Sequence, residues 1–104
     1  MIYEIREYTT VPGRLPALVK RFTEHTTRLF AKHGMGHSFL STTELGANSN
    51  NELVYVMTFE DYHDMATKWA AFQADPEWRE VRAASEADGP IVASISRRVL
   101  RGIL

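Results

Sequence analysis

Arg6 and Tyr8 are the residues whose types and spacing most clearly suggest polar chemistry in this sequence. They stand two positions apart in a segment that is predicted to be a strand, so both side chains lie on the same face. Two interpretations stay open for Arg6. It binds an anion at the floor of a pocket, with Tyr8 or Tyr55 as hydrogen-bond donor, or it forms an ion pair because a buried charge needs a partner. Glu4 and Glu7 are the candidate carboxylates for that cross-strand ion pair, and Arg97 is the other candidate member of the charged group.

The stretch WAAFQADPEW, residues 69–78, gathers Trp69, Phe72 and Trp78 around an Asp-Pro pair. Asp75 can cap a helix, and Pro76 fits the first turn because its missing N–H has no partner there. The aromatic side chains are either anchors that pack helix onto sheet, or the lining of a pocket in which an aromatic ligand stacks.

Four histidines are present, and His25 is the best candidate for proton transfer. It borders the apolar stripe of a predicted helix, where partial burial can shift the pKa of an imidazole. No two histidines have the spacing of metal ligands on one helix or strand, and the chain has no cysteine. We therefore predict no metal site and no cofactor.

The 104 residues suit a single domain that spans residues 1–104. The net charge is −1, with basic and acidic residues intermixed, so nucleic acid is not an expected partner. No apolar run approaches the length of a membrane span, and the N-terminal segment MIYEIREYTT does not resemble a signal peptide. Together with the absence of cysteine, these features predict a cytoplasmic protein.

The apolar pattern predicts four strands and two helices. The strands are expected at residues 2–9, 37–44, 52–60 and 91–100. The first helix runs from residue 14 to residue 33, with a polar side that carries Arg14, Lys20, Arg21, Glu24, Arg28 and Lys32. The second helix begins after Asp61 with Tyr62 on its apolar side, breaks at Asp75, and continues over residues 77–87 with Trp78, Val81 and Ala84 inward.

The order β-α-β-β-α-β predicts an α+β, ferredoxin-like fold, in which a four-stranded antiparallel sheet carries two helices on one face. The opposite face is then bare. Either Tyr55, Met57 and Phe59 or their neighbours Val54 and Val56 lie on it. An apolar face of that size is a liability in a monomer, so we expect a homodimer formed face to face.

Four motifs resemble the NIPSNAP family: YEIREYTTVPGR, KHG, W-x-x-F-Q-x-D-P-E-W, and a closing GP before a strand. The resemblance extends from residue 2 to about residue 101 and implies the dimeric α+β barrel, in which two ferredoxin-like sheets close into one barrel. Small single-domain members look like bacterial proteins of undefined function. Related barrel families include cofactor-free monooxygenases, lactone isomerases and haem enzymes, but a shared fold does not fix a function.

Two functional hypotheses follow, and the sequence does not decide whether the protein is an enzyme. In the first, a pocket between sheet and helices binds a small apolar or aromatic molecule, with or without cofactor-free oxygenase or isomerase activity. Arg6 and His25 are its candidate catalytic residues, and its candidate ligand-binding residues are Trp69, Tyr55, Tyr8, Phe72 and Trp78. In the second, the interior is filled and the dimer is a structural or protein-interaction module.

Overall fold

A computed structural model describes residues 1–104, and it confirms every predicted helix and strand to within two residues at each end. The strands are β1 (Ile2–Thr10), β2 (Gly36–Thr42), β3 (Glu52–Phe59) and β4 (Val92–Arg101). The first predicted helix consists of α1 (Leu15–Arg21), a π-helical turn (Phe22–Thr26) and α2 (Thr27–Lys32). The second consists of α3 (Tyr62–Ala74) and α4 (Pro76–Ser85), and a short 3₁₀ turn (Ser49–Asn51) precedes β3. None of these helices combines the length and apolar character needed to cross a membrane.

The four strands form one antiparallel sheet in the order β2-β3-β1-β4. This order, with helices connecting β1 to β2 and β3 to β4, is the ferredoxin-like α+β arrangement that the sequence predicts. Residues opposite each other in neighbouring strands share a face, so Tyr8 of β1 lies in one row with Leu53 of β3 and Ile95 of β4. That row faces the helices.

The core lies between the sheet and the helices. Tyr55, Met57 and Phe59 of β3 point into it, and all three are almost completely buried. Phe22 of the π-helical turn packs on Tyr55 with ring centroids 5.1 Å apart, and Phe30 of α2 packs on Phe72 of α3 at 4.9 Å. These aromatic contacts fix how the helices lie on the sheet.

The other face of the sheet carries no helix. The molecule measures 38 × 35 × 19 Å, and the shortest dimension has room for one sheet and one layer of helices only. The strand register places Ile5 opposite Val56 and Tyr3 opposite Leu100 on this open face. The alternative set by the sequence is thus resolved: Val54 and Val56 lie on the open face, whereas the Tyr55 row faces the core.

Asp75 joins three parts of the helical layer. Its Oδ1 accepts the backbone N–H of Glu77 at 2.8 Å, which caps α4 as predicted. Its Oδ2 lies 2.8 Å from Lys32 Nζ and 2.7 Å from His33 Nε2, so it also holds the end of α2. Hydrogen bonds from Lys32, from His33 and from the Glu77 backbone hold the pKa of Asp75 well below its usual value.

Three predicted side-chain placements are wrong. Arg21, assigned to the polar side of the first helix, is 5% exposed, because α4 packs over that side and Trp78 lies under its guanidinium. Tyr62 is exposed, since it stands in the first turn of α3 beyond the edge of the sheet. Ala84 is exposed, while Trp78 and Val81 of the same helix pack against the core.

Candidate functional site

A cleft of about 690 Å³ opens between helices α3 and α4 and strands β1 and β4. The first half of β4 forms one side of the cleft, because the helices cover this edge strand only in part. The residues that line the cleft are Arg6, Tyr8, Arg21, Trp69, Phe72, Gln73, Trp78, Arg79, Arg82, Glu86, Val92, Ala93, Ser94 and Ile95. Half of them are hydrophobic, which is the mixed lining expected of a small-molecule site.

Three aromatic rings form a wall of the cleft, which we call the aromatic wall: Trp69, Phe72 and Trp78. The Phe72 centroid lies 5.7 Å from that of Trp69 and 4.8 Å from that of Trp78. Phe72 is buried, whereas both tryptophans are partly exposed. The Asp75-Pro76 break between α3 and α4 brings Trp78 back against Phe72, so the rings anchor the helices and also line the cleft.

Glu4 organises the floor beneath the aromatic wall. Its carboxylate is completely buried. Oε1 accepts the indole N–H of Trp69 at 2.6 Å. Oε2 accepts Arg6 Nη1 at 3.1 Å and Arg97 Nε at 2.6 Å. One buried carboxylate therefore fixes the ring of Trp69 and the guanidinium of Arg6, which is a costly arrangement unless all its partners remain in place.

Arg6 forms the ion pair that the sequence left open, and it also lies at the floor of the cleft. It pairs with Glu4, and it lies in the cleft with its guanidinium carbon 4.5 Å from the centre of the Trp69 ring. Burial alone would lower the pKa of Arg6, but Tyr55, Tyr8 and Glu4 outweigh that effect and raise the pKa above its usual value. The guanidinium thus remains charged at the floor of the cleft.

Two tyrosine hydroxyls continue this network. Arg6 Nε and Nη2 each donate to the Tyr8 oxygen at 3.4 Å, and the Tyr8 and Tyr55 oxygens are 2.8 Å apart. Burial raises the pKa of Tyr55 well above its usual value, so its hydroxyl stays protonated. Because Tyr55 has no other acceptor, an unpaired buried donor is avoided only if its hydroxyl donates to Tyr8.

His25 does not share this site. It lines a separate groove of about 610 Å³ between α1, the π-helical turn and α4, whose lining is mostly charged. Its Nδ1 lies 3.2 Å from Nη2 of Arg28. The structure thus brings together Arg6, Tyr8, Trp69, Phe72 and Trp78, places Tyr55 directly behind Tyr8, and leaves His25 on the far side of α4.

Sequence reasoning missed several residues of the site, among them the buried side chains of Glu4 and Arg21. Glu4 was considered only as a partner for Arg6, and nothing in a strand pattern indicates that it would also accept the Trp69 indole 65 positions away. Arg21 was missed because the periodicity of one helix does not show what packs against its polar side. No group of three or more His, Cys, Asp or Glu side chains is placed to hold a metal ion.

The fold and the cleft define the class of protein: a ferredoxin-like α+β domain with a cleft between its sheet and its helices. The sequence model of the NIPSNAP family matches residues 3–103, and the chain belongs to that family. No protein of curated function matches the chain in sequence.

Solved structures agree with this assignment. Protein Atu4242 from Agrobacterium tumefaciens is 25% identical, with a TM-score of 0.83 over 97% of this chain and 92% of its own. An uncharacterised NIPSNAP-like domain protein from Burkholderia xenovorans is 22% identical, with a TM-score of 0.84 over 98% and 84%. SnoaB from Streptomyces nogalater, a cofactor-independent oxygenase, is 14% identical, with a TM-score of 0.63 over 99% and 93%, and shares the fold alone.

Proposed function

We propose that this protein is a homodimer in which each protomer binds a small aromatic molecule in the cleft between sheet and helices. The observation that carries the proposal is the aromatic wall, two of whose three rings remain partly exposed above a cleft of about 690 Å³. Binding sites for small molecules have volumes of about 300–1,000 Å³ and combine apolar walls with a few fixed polar groups. Arg6 and Tyr8 are the fixed polar groups of this cleft.

The cleft favours ligand binding over a purely structural module, whose interior would be filled. The polar groups at its floor are held before any ligand arrives, since Glu4 fixes Arg6 and Tyr55 fixes Tyr8. Such preorganisation lowers the entropy lost on binding. A buried network that served packing alone would be expected under the helices, whereas this one opens into a cavity.

The open face of the sheet supports the dimer. Phe39 is 51% exposed and Leu100 is 41% exposed on this face, next to Ile5, Val54 and Val56. A second copy that meets this face would cover it and supply the missing third layer, with two-fold symmetry that satisfies both copies at once. The cleft lies on the other side of the sheet and stays accessible in such a dimer.

Catalysis in the same cleft is a second candidate function, which one observation favours. The guanidinium of Arg6 and the hydroxyl of Tyr8 lie together beside Trp69, where they would stabilise negative charge that develops on an oxygen of a stacked ring. The shared fold with SnoaB makes oxygen the first co-reactant to test. Oxygen uptake with a panel of naphthols, compared between the wild type and Arg6→Lys, tests this candidate. Uptake no faster than without protein contradicts it.

Isothermal titration calorimetry with 1-naphthoate and 1-naphthamide tests the binding function. We expect at least one probe to bind with a Kd of about 1 mM or below, which corresponds to about −4 kcal/mol. Ile95→Trp should weaken binding because the larger ring projects into the cleft beside the aromatic wall. Tyr62→Trp is the matched control, since it places an indole at an exposed position outside the cleft. No binding of either probe, or equal binding by both variants, contradicts the proposal.

A further inference from the structure

The cleft contains more positive charge than its carboxylates can compensate. Four arginines line it, Arg6, Arg21, Arg79 and Arg82, and Glu86 is the one acidic residue among them. Glu86 is shared, since its Oε1 lies 3.7 Å from Arg21 Nη1 and 3.9 Å from Arg82 Nε. Both distances are long for a charge-assisted hydrogen bond, so neither guanidinium has a strong partner.

The floor of the cleft has the same imbalance. Arg6 shares the single carboxylate of Glu4 with Arg97. Arg79 forms no ion pair, and its Nε donates to the backbone oxygen of Gln73 at 3.0 Å. Four arginines therefore share two carboxylates and Arg79 has none, so positive charge is in surplus around this cavity.

Arg21 is the residue that most needs a further partner. It is 5% exposed, and its Nε is buried without any hydrogen-bond partner. Its Nη1 donates to Ser85 Oγ at 3.3 Å, and the guanidinium carbon lies 5.4 Å from the centre of the Trp78 ring. Burial lowers the pKa of Arg21, and Glu86 offsets that effect only in part. A buried guanidinium whose charge is only partly compensated is stabilised by a further anion placed beside it.

We propose that the ligand of the cleft is an aromatic carboxylate, whose ring stacks on the aromatic wall and whose carboxylate binds Arg21 and Arg82. A planar carboxylate matches the geometry of a guanidinium and can accept two N–H groups at once. This inference rests on the proposed function and adds the chemical class of the ligand. The carboxylate of the ligand supplies the negative charge that the arginines lack. The ligand ring packs on the aromatic wall, whose Trp69 and Trp78 rings already contact the guanidinium groups of Arg6 and Arg21.

Calorimetry with the charged and neutral members of one probe pair tests the inference. We expect 1-naphthoate to bind at least about tenfold more tightly than 1-naphthamide at low salt, as a charge-assisted hydrogen bond predicts. The preference should shrink as the salt concentration rises. Equal affinities overturn the carboxylate inference but leave the proposed function intact. If neither probe binds, the proposed function itself fails.

Three variants locate the charge effect. Arg82→Gln should reduce the preference for naphthoate about two- to fivefold, because Arg82 is largely exposed. Arg21→Gln should remove most of the preference while naphthamide still binds. Arg101→Gln removes the same charge at the opposite end of β4 and should change nothing. A preference that keeps its full wild-type size in Arg82→Gln, or that falls equally in Arg101→Gln, overturns the assignment even where Arg21→Gln does not fold.

Discussion

Glu4→Gln is the substitution that tests the floor of the cleft most severely. The side chain keeps its size but loses its charge and one of its two acceptor oxygens. In the wild type, one carboxylate oxygen accepts a hydrogen bond from Trp69 Nε1 at 2.6 Å. The other oxygen accepts from Arg6 at 3.1 Å and from Arg97 at 2.6 Å. The single oxygen of a glutamine amide can accept either from Trp69 or from the two arginines. The NH₂ group of the amide then faces the N–H donors that are left without an acceptor.

The magnitude follows from the burial of each partner. Removing one member of a buried ion pair costs about 3–5 kcal/mol, because the remaining charge is left uncompensated. The Arg6 side chain is only 12% exposed and regains little water, whereas Arg97 is 50% exposed and stays hydrated. We therefore expect the lower end of that range, a loss of about 3 kcal/mol in the free energy of unfolding.

Urea denaturation followed by far-ultraviolet circular dichroism measures this loss. For a slope of about 1–3 kcal/mol per molar urea, the midpoint should fall by about 1–3 M. Glu7→Gln is the matched control, since Glu7 stands on the same strand and only reaches Arg98 at 4.0 Å on the open face. Its effect should stay below about 1 kcal/mol. If Glu4→Gln costs no more than Glu7→Gln at the same protein concentration, the reasoning about the buried network is refuted.

Three further predictions concern other parts of the molecule. The pKa of Asp75 is lower in the folded than in the unfolded chain, so the stability that Asp75 contributes is present above its usual pKa of 3.8 and is lost as the pH falls below that value. Asp75→Asn should therefore lose less stability than the wild type when urea melts are compared at pH 5 and at a pH below 3.8. An unchanged pH dependence would contradict the role of Asp75. Ile5→Asp places a charge on the open face and should shift the mass measured by light scattering from twice 11.8 kDa toward that of the single chain. Ala70→Asp, on the exposed side of α3, should leave the mass unchanged. A wild type that is monomeric at micromolar concentration refutes the dimer. Tyr55→Phe removes the donor to Tyr8 and should cost about 0.5–1.5 kcal/mol, and a stability equal to that of the wild type would show that this hydrogen bond contributes nothing.

The sequence predicts the elements and their order because their signals are local. Alternation in β3 and the three-and-four spacing of the first helix each depend on neighbouring residues, and Asp61 and Asp75 cap the helices that follow them. The open face of the sheet follows from counting layers rather than from any single residue.

The site is only partly predictable, because it depends on contacts between distant segments. Arg6 and Tyr8 share a face of one strand, and Trp69, Phe72 and Trp78 stand close together in the chain, so the sequence could nominate them. It could not place His25 relative to Arg6, since the π-helical turn and the packing of α4 decide where that imidazole lies. The burial of Arg21 depends on α4 in the same way.

The indole N–H signals of Trp69 and Trp78 give the most direct test of the central claim, that the cleft binds a small aromatic molecule. The chain has only these two tryptophans, and both line the cleft. In a nitrogen–proton correlation spectrum titrated with 1-naphthoate, both indole signals should shift along one saturable curve, together with the amide of Ile95. The amides of Ile5 and Val56 on the open face should stay in place. Shifts confined to the open face, or indole signals that do not move at millimolar probe, would contradict the account.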